Sequence, residues 1–456
     1  MNLASKLFKG DRVIWIVFMF LCLISAVEVF SATSTLAYKS ATHWTPIVRH
    51  ASFLLGGFVL VLFLHHIPCK YYALLTVFLP ISAILLAITP YFGVVVNGEP
   101  RWLEILGIRF QPSEIAKLAV IGYTAFILSK QNMFTEKQMF KYILIGAGII
   151  CALIFTNNGS TALLLFLIVQ MMMFLGQISF ARLFKFWGIM FAAVSLMVVL
   201  LYFVPAGAMD YLPDRAHTWK GRIESFFDST SPVTFEPGKA VNIEDDDYQV
   251  VHAKIAIARG GVLGKFPGYG QQRDFLPQAY SDFIYAIIIE EMGILGGAFV
   301  LFLYIVLLVR VGVIARKCDK LFPKFLVMGC GLLLVAQALT NMAVAVDLIP
   351  VTGQPLPLVS RGGTSTVISC AYIGIILSVS RFGANMGNDE EMLETLAVSE
   401  NPMSIEPDMD RHPSEKISAE VKEEIGMAER VLDDVRENPL EVVYNLKEEI
   451  TTEAKI

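Results

Sequence analysis

Ten stretches of this chain are apolar over the length a helix needs to cross a hydrocarbon layer. They run roughly 13–36, 47–67, 71–92, 113–130, 141–157, 159–176, 184–204, 283–312, 323–347 and 364–380. Inside a bilayer every backbone polar group must bond within its own segment, so runs of about 20 apolar residues fold as spanning helices. The fold class that follows is all-α: a polytopic membrane protein with about ten transmembrane helices. The fifth and sixth runs are short and meet at Asn157-Asn158-Gly159, a polar turn; the alternative is one long helix. The first run exceeds a signal-peptide core and lacks a clear small-x-small site, so it reads as an uncleaved span.

Lysine and arginine in the connections orient the bundle. One side collects Lys6, Lys9, Arg12, Lys70, Lys130, Lys137, Lys141, Arg182, Lys185, Arg310, Arg316, Lys317, Lys320, Lys324 and Arg381. The short loops of the other side hold only Lys39, Arg101, Arg109 and Arg361, with Arg49 at a helix start. The first side is cytoplasmic, and an even number of spans puts both termini there. The longest connection, 205–281, is then an extracytoplasmic loop of about 77 residues. Loops of that length are functional or disordered. Within it, Asp247–Gly260 carries apolar residues at mixed helical spacing, as a helix on the membrane surface would.

Charge divides the chain in two. Residues 1–381 hold 29 Lys and Arg against 21 Asp and Glu, and residues 382–456 hold 7 against 20. A basic transmembrane domain, 1–381, therefore carries an acidic cytoplasmic tail, 382–456. The tail reads as largely disordered, with one amphipathic helix suggested by Ile417, Val421, Ile425, Leu432 and Val435. The basic body suits anionic lipids, and nothing in the chain points to nucleic acid. The six cysteines form no CxxC pair and read as small core residues rather than metal ligands.

Polar residues inside spans are costly and mark functional positions by default. Three clusters qualify, all at the non-cytoplasmic mouth. The first is 97–117, where Glu114 and Lys117 share a face of the fourth span and Ser113 is placed to cap it. Lys117 either pairs with Glu114 or joins Arg101 in holding a phosphate. The second is 274–293, with Asp282 at the entrance of the eighth span and Glu290 two turns deeper on nearly the same face. Asp282 is either a reactive carboxylate or a helix cap. The third is 347–365, whose prolines and glycines constrain a loop between two spans. Its Thr352, Gln354, Ser360, Arg361, Thr364 and Ser365 suggest a lined cavity. Glu28, late in the first span, lies toward the same face.

Three motifs stand in order within these clusters: Pro112-Ser113-Glu114-x-x-Lys117; Leu276-Pro277-x-x-x-x-Asp282-Phe283-Ile284; and Pro350-Val351-Thr352-Gly353-x-Pro355-Leu356-Pro357-x-x-Ser360-x-Gly362-Gly363-x-Ser365. Their order, and the chain over about 10–381, resembles the SEDS proteins (shape, elongation, division and sporulation). The opening Gly10-Asp11-Arg12-Val13-Ile14-Trp15 looks more like the division type than the elongation type. Two positions depart from the family pattern: Gln278 stands where a glutamate is usual, and Arg361 where a tyrosine is usual.

The resemblance implies a peptidoglycan glycosyltransferase that polymerises lipid II. Asp282 would be the general base toward the acceptor's 4-hydroxyl. Undecaprenyl pyrophosphate would leave with inversion. Arg101 and Lys117 would balance its charge, with Glu114, Ser360, Arg361, Thr364 and Ser365 completing the substrate site. No metal site is assigned and no cofactor is certain; a divalent cation could share the charge. Expected partners are a class B penicillin-binding protein and other division proteins, at the septum of the bacterial cytoplasmic membrane. The rivals are a lipid II flippase, whose polar residues would gather near the midplane, and an elongation-type polymerase.

Overall fold

A computed structural model of the protein describes residues 8–32, 45–96, 99–105, 108–203, 220, 245–276 and 279–399. Ten apolar helices stand at the ten predicted positions. They are α1 (Arg12–Ala32), α2 (Thr45–Leu64), α3 (Phe78–Phe92), α4 (Pro112–Leu128), α5 (Glu136–Phe155), α6 (Gly159–Leu175), α7 (Phe180–Phe203), α9 (Ile284–Arg316), α10 (Leu321–Ala345) and α11 (Thr364–Ser399). The 3-10 segment Cys69–Val77 runs directly into α3. Among the described residues, eight helices are long and apolar enough to cross a membrane, counting Cys69–Phe92 as one; α4 and α6 have 17 residues each. The two short runs are separate helices. Asn158 ends the turn between α5 and α6, its side chain accepting from Thr161 N at 3.1 Å.

Local chemistry sets the helix ends. Asp11 receives the backbone N–H groups of Val13 and Ile14 at 2.9 and 3.1 Å, satisfying donors that α1 leaves open. The same carboxylate pairs with Arg310 of α9. At α5, Thr135 and Gln138 form a reciprocal capping box. The most buried helices are α4, α10 and α11, and the fully buried Phe18, Phe283, Tyr304 and Tyr372 fill the centre. Leu23, Leu55 and Phe191 instead point outward, 60%, 65% and 75% exposed, as residues facing acyl chains would.

Two features had no place among the expected spans. Between α3 and α4 the chain forms a three-stranded antiparallel sheet: β1 (Val94–Val96), β2 (Glu99–Ile105) and β3 (Ile108–Phe110), in that order. Trp102 faces Val94, and Glu104 faces Arg109. The second is α8 (Asp245–Gly260), which matches the expected helix of the long loop. It packs along α9 through Ala253 and Ala256, both buried.

After α8 the chain folds back against a break in α9. Lys265 N and Phe266 N donate to the carbonyls of Glu290 and Glu291 at 3.1 and 2.7 Å. Ile294 N and Leu295 N donate to Gly261 and Val262 at 3.0 and 3.3 Å. This short ladder needs Gly293, whose φ is 71° and whose missing side chain leaves room for the Val262 carbonyl. The freed backbone groups of the broken helix are thus re-bonded by protein, as membrane depth requires.

The residues divide into two units, Met1–Met392 and Leu393–Ile456. The expected amphipathic helix over 417–435 lies outside the described residues, as does most of 205–244.

Candidate active site

Asp282 lies in the turn just before α9, and three elements converge on it. Its Oδ1 accepts from Ser281 Oγ at 2.9 Å. Its backbone carbonyl accepts from Asn341 Nδ2 of α10 at 2.8 Å, and the same amide donates to the Gln354 carbonyl at 2.8 Å. One side chain on α10 therefore fixes both the Asp282 turn and the 346–363 loop. The loop passes the carboxylate at Gly353, whose φ is 66° and whose ideal Cβ position would stand 3.7 Å from Asp282 Oδ2. Ser360 Oγ donates to the Ser281 carbonyl at 2.6 Å, and Arg361 N donates to the Tyr280 carbonyl at 2.9 Å.

The capping reading of Asp282 fails. The residue at the cap position of α9 is Phe283, with no side-chain hydrogen bond to the helix. Asp282 keeps partial access to solvent, while protein surrounds most of its carboxylate. Burial pushes the carboxyl above its ordinary range, and the Ser281 hydroxyl and the Arg101 charge act in the opposite direction. Arg101 is thus within electrostatic reach of Asp282. It sits on β2, half-buried, and its Nε donates to the Asn157 carbonyl at 3.1 Å. A small cavity beside it is lined by Gln111, Ser113, Asn157 and Asn158.

Lys117 takes a different place. It is fully buried, 2.8 Å from Glu114, and donates to Gln337 Oε1 at 3.1 Å. Gln337 Nε2 in turn donates to the Pro355 carbonyl at 3.1 Å. The chain Glu114–Lys117–Gln337–Pro355 supports the loop from behind. Among the described residues Arg101 reaches Asp282, while the Lys117 ammonium is spent on a carboxylate and an amide. Ser113 does not cap α4. Gln111 holds the cap position and Pro112 the first turn, which puts Ser113 too far inside; its hydroxyl has no partner among the described residues.

The loop's polar side chains are mostly spent on its own shape. Gln354 Nε2 donates to Thr161 Oγ1 on α6, and Ser360 Oγ accepts from Leu356 N at 2.8 Å. Thr364 reaches the Arg109 carbonyl on β3 at 3.4 Å, and Ser365 is buried at the start of α11. Arg361 lies over the Tyr280 ring, 5.2 Å from its centroid. Pro277 and Gln278 fall outside the described residues.

Glu290 does not share the Asp282 site. Its carboxylate accepts the backbone N–H groups of Gln271 and Gln272, each at 3.0 Å. Glu291 accepts from Ser31 Oγ at 2.5 Å and from Gly268 N at 3.1 Å, with Arg273 3.7 Å away. These two acids pin the folded-back loop to α9. Glu28 is fully buried nearby, within electrostatic reach of Glu291. Among the described residues no group of three or more His, Cys, Asp or Glu is arranged to hold a metal ion.

Sequence reading missed Gln337, Asn341 and Thr161. The signal was present: Gln337 and Asn341 are four apart on an otherwise apolar span, so they share a face.

The family model described as cell cycle protein, covering FtsW, RodA and SpoVE, matches residues 11–385. This chain belongs to that family. A relative from Taylorella equigenitalis (strain MCE9), named probable peptidoglycan glycosyltransferase FtsW, is 31% identical over 367 residues, 77% of this chain and 94% of its own. One of the same name from Geobacter sp. (strain M18) is 29% identical, covering 81% of this chain and 96% of its own. Among solved structures, a chain of a peptidoglycan synthase complex that coordinates polymerization and crosslinking superposes with a TM-score of 0.63 at 22% identity, over 82% of this chain and 98% of that one. The rod shape determining protein RodA of Thermus thermophilus gives 0.57 at 21% identity, over 82% and 97%. At such identities these two likenesses speak to the fold of the family.

Proposed function

We propose that this chain is a peptidoglycan glycosyltransferase of the division type, polymerising lipid II into glycan strands. One observation carries the mechanism: Asp282 presents a carboxylate that caps nothing, held by its backbone where its own turn, α10 and the 346–363 loop meet, with the Arg101 charge in reach. A carboxyl whose range is raised by burial is better suited to take a proton near neutral pH than an exposed one. It would accept the 4-hydroxyl proton of the acceptor sugar as that oxygen displaces the pyrophosphate from the donor's anomeric carbon. One carboxylate suffices, since the leaving group needs no protonation once a cation balances it. Arg101 supplies that cation. Lys117 acts on the loop rather than on phosphate. A divalent cation, where the reaction uses one, would come bound to the pyrophosphate.

The relatives' names support the activity, and the complex that coordinates polymerization and crosslinking supports a penicillin-binding partner in the cytoplasmic membrane; the septum is the place expected of a division-type enzyme. The test is glycan-chain formation from labelled lipid II by the purified protein, with and without a class B penicillin-binding protein. Asp282→Asn should abolish product under both conditions. Wild-type product from that variant refutes the base, and absence of product from wild type with its partner refutes the polymerase reading.

A further inference from the structure

The stretch of chain that passes the Asp282 carboxylate is strung between two anchors. Among the described residues, Ile349, Pro350, Val351, Thr352 and Gly353 make no hydrogen bond, and Ile349 and Val351 are held by packing against the core. Downstream, Asn341 holds the Gln354 carbonyl. Upstream, the stretch hangs from the end of α10. Whatever fixes that end also fixes how Gly353 approaches Asp282.

The end of α10 is a Schellman turn. Leu348 N donates to the Ala343 carbonyl at 2.8 Å, and Asp347 N to the Val344 carbonyl at 3.0 Å. Such a turn puts the residue after the cap in the left-handed region, and Asp347 has a φ of 60°. Glycine is the usual residue there because it takes that conformation freely; an aspartate adopts it against the crowding of its Cβ. The Asp347 carboxylate reaches another element, pairing with Lys254 of α8.

Helix α8 is itself bound to α9, which begins at the Asp282 turn. Ala253, Ala256 and Gly260 recur at helical spacing on its buried side, and a Cβ on Gly260 would collide with the Ile289 carbonyl of α9. Lys254, beside Ala253, extends from this packed helix to Asp347. A ring is thereby closed. It runs from the Asp282 turn along α9 to α8, across the ion pair to Asp347, and along the unbonded stretch to Gly353, back beside Asp282.

Folding stability does not account for this pair. The lysine and aspartate side chains are 53% and 31% exposed, and ion pairs in contact with water contribute little. What the pair supplies is position.

We propose that Lys254 and Asp347 are positioning residues: a clasp that ties the helix of the long outer loop to the end of α10 and sets where Gly353 stands against Asp282. The effect on rate rests on the polymerase reading; the clasp itself does not.

The test uses the full-length protein in nanodiscs. Its readouts are hydrogen exchange of the amides from Ile349 to Leu356, thermal unfolding and, with a class B penicillin-binding protein, lipid II polymerisation. Asp347→Gly separates position from stability, because it relieves the left-handed residue and cuts the clasp. Its unfolding temperature should hold or rise while the stretch exchanges faster. Its kcat should fall at least about tenfold, the scale on which small misplacements act, with KM little changed. Lys254→Gln should reproduce the faster exchange and lower kcat, and the double variant should lose no more than either single one, since the two act as a unit. Lys254→Arg should retain both. Unchanged exchange in Asp347→Gly and Lys254→Gln would reduce the pair to a surface contact and overturn the proposal. Faster exchange with wild-type kcat would overturn it too, since the clasp would then hold the loop without serving the reaction. Loss of kcat and unfolding temperature together in Asp347→Gly, with Lys254→Gln silent, would leave only a structural role and overturn it. Should wild type with its partner make no product, the polymerase reading fails, while the exchange measurement still decides the clasp.

Discussion

Glu114 and Lys117 form a pair that water hardly reaches, and removing one partner exposes what it does. Lys117→Met strands the Glu114 carboxylate and strips Gln337 Oε1 of its donor. Breaking a buried pair by removing one partner costs about 3–5 kcal/mol. Lys117→Met should therefore destabilise the protein by about 4 kcal/mol. Adding Glu114→Gln removes the stranded charge and leaves a neutral amide beside Gln337, so the double variant should recover about 2 kcal/mol or more. The assay is denaturant unfolding in detergent, followed by tryptophan fluorescence, with lipid II polymerisation measured on the same preparations. If Lys117 acts by holding the 346–363 loop, activity returns with stability in the double variant. A double variant that is stable but inactive would show that the ammonium itself meets substrate. A silent single variant would refute the buried pair.

Asp282→Asn tests the same site from its charge. The folded carboxyl is raised above its unfolded range, so its contribution to stability is full below the unfolded value and lost as pH rises through the folded one. Asparagine mimics the neutral form, so the variant should gain on wild type as pH rises and converge with it below about pH 4, the unfolded range of an aspartate; a variant less stable at pH 8 than at pH 4, relative to wild type, contradicts this. The same raised value predicts wild-type polymerisation that falls on acidification at a higher pH than an exposed aspartate would give, read from a pH–rate profile. Gly293→Ala should destabilise by more than about 1 kcal/mol, since its φ of 71° and the Val262 carbonyl both exclude a side chain; unfolding in detergent reads it. Truncation after Arg381 should leave polymerisation by the purified protein intact, because every residue placed at the site precedes it; loss of product by the folded truncation would overturn that assignment.

The spans were legible because a bilayer leaves so few options. Their apolar length alone located α1 to α7 and α9 to α11, and even the break at Asn157 showed in its polar turn. The sheet before α4 was less legible. Its strands are three to seven residues long, and their signal is the turn dipeptide Asn97-Gly98 after three valines rather than any long periodicity. Within the site, residue types pointed to the right neighbourhood but not to the partners. Glu290 and Asp282 are eight apart, which on an unbroken helix would align them. Asp282 lies in the turn before α9, however, and Glu290 is drawn to the backbone of Gln271 and Gln272 from the long loop. Lys117 had two open readings, and the choice came from Gln337, more than two hundred residues away. A polar side chain in a span chooses its partner from whatever the other helices bring within 3 Å. Helical spacing can name its face, but only the packing of the other helices can name what waits there.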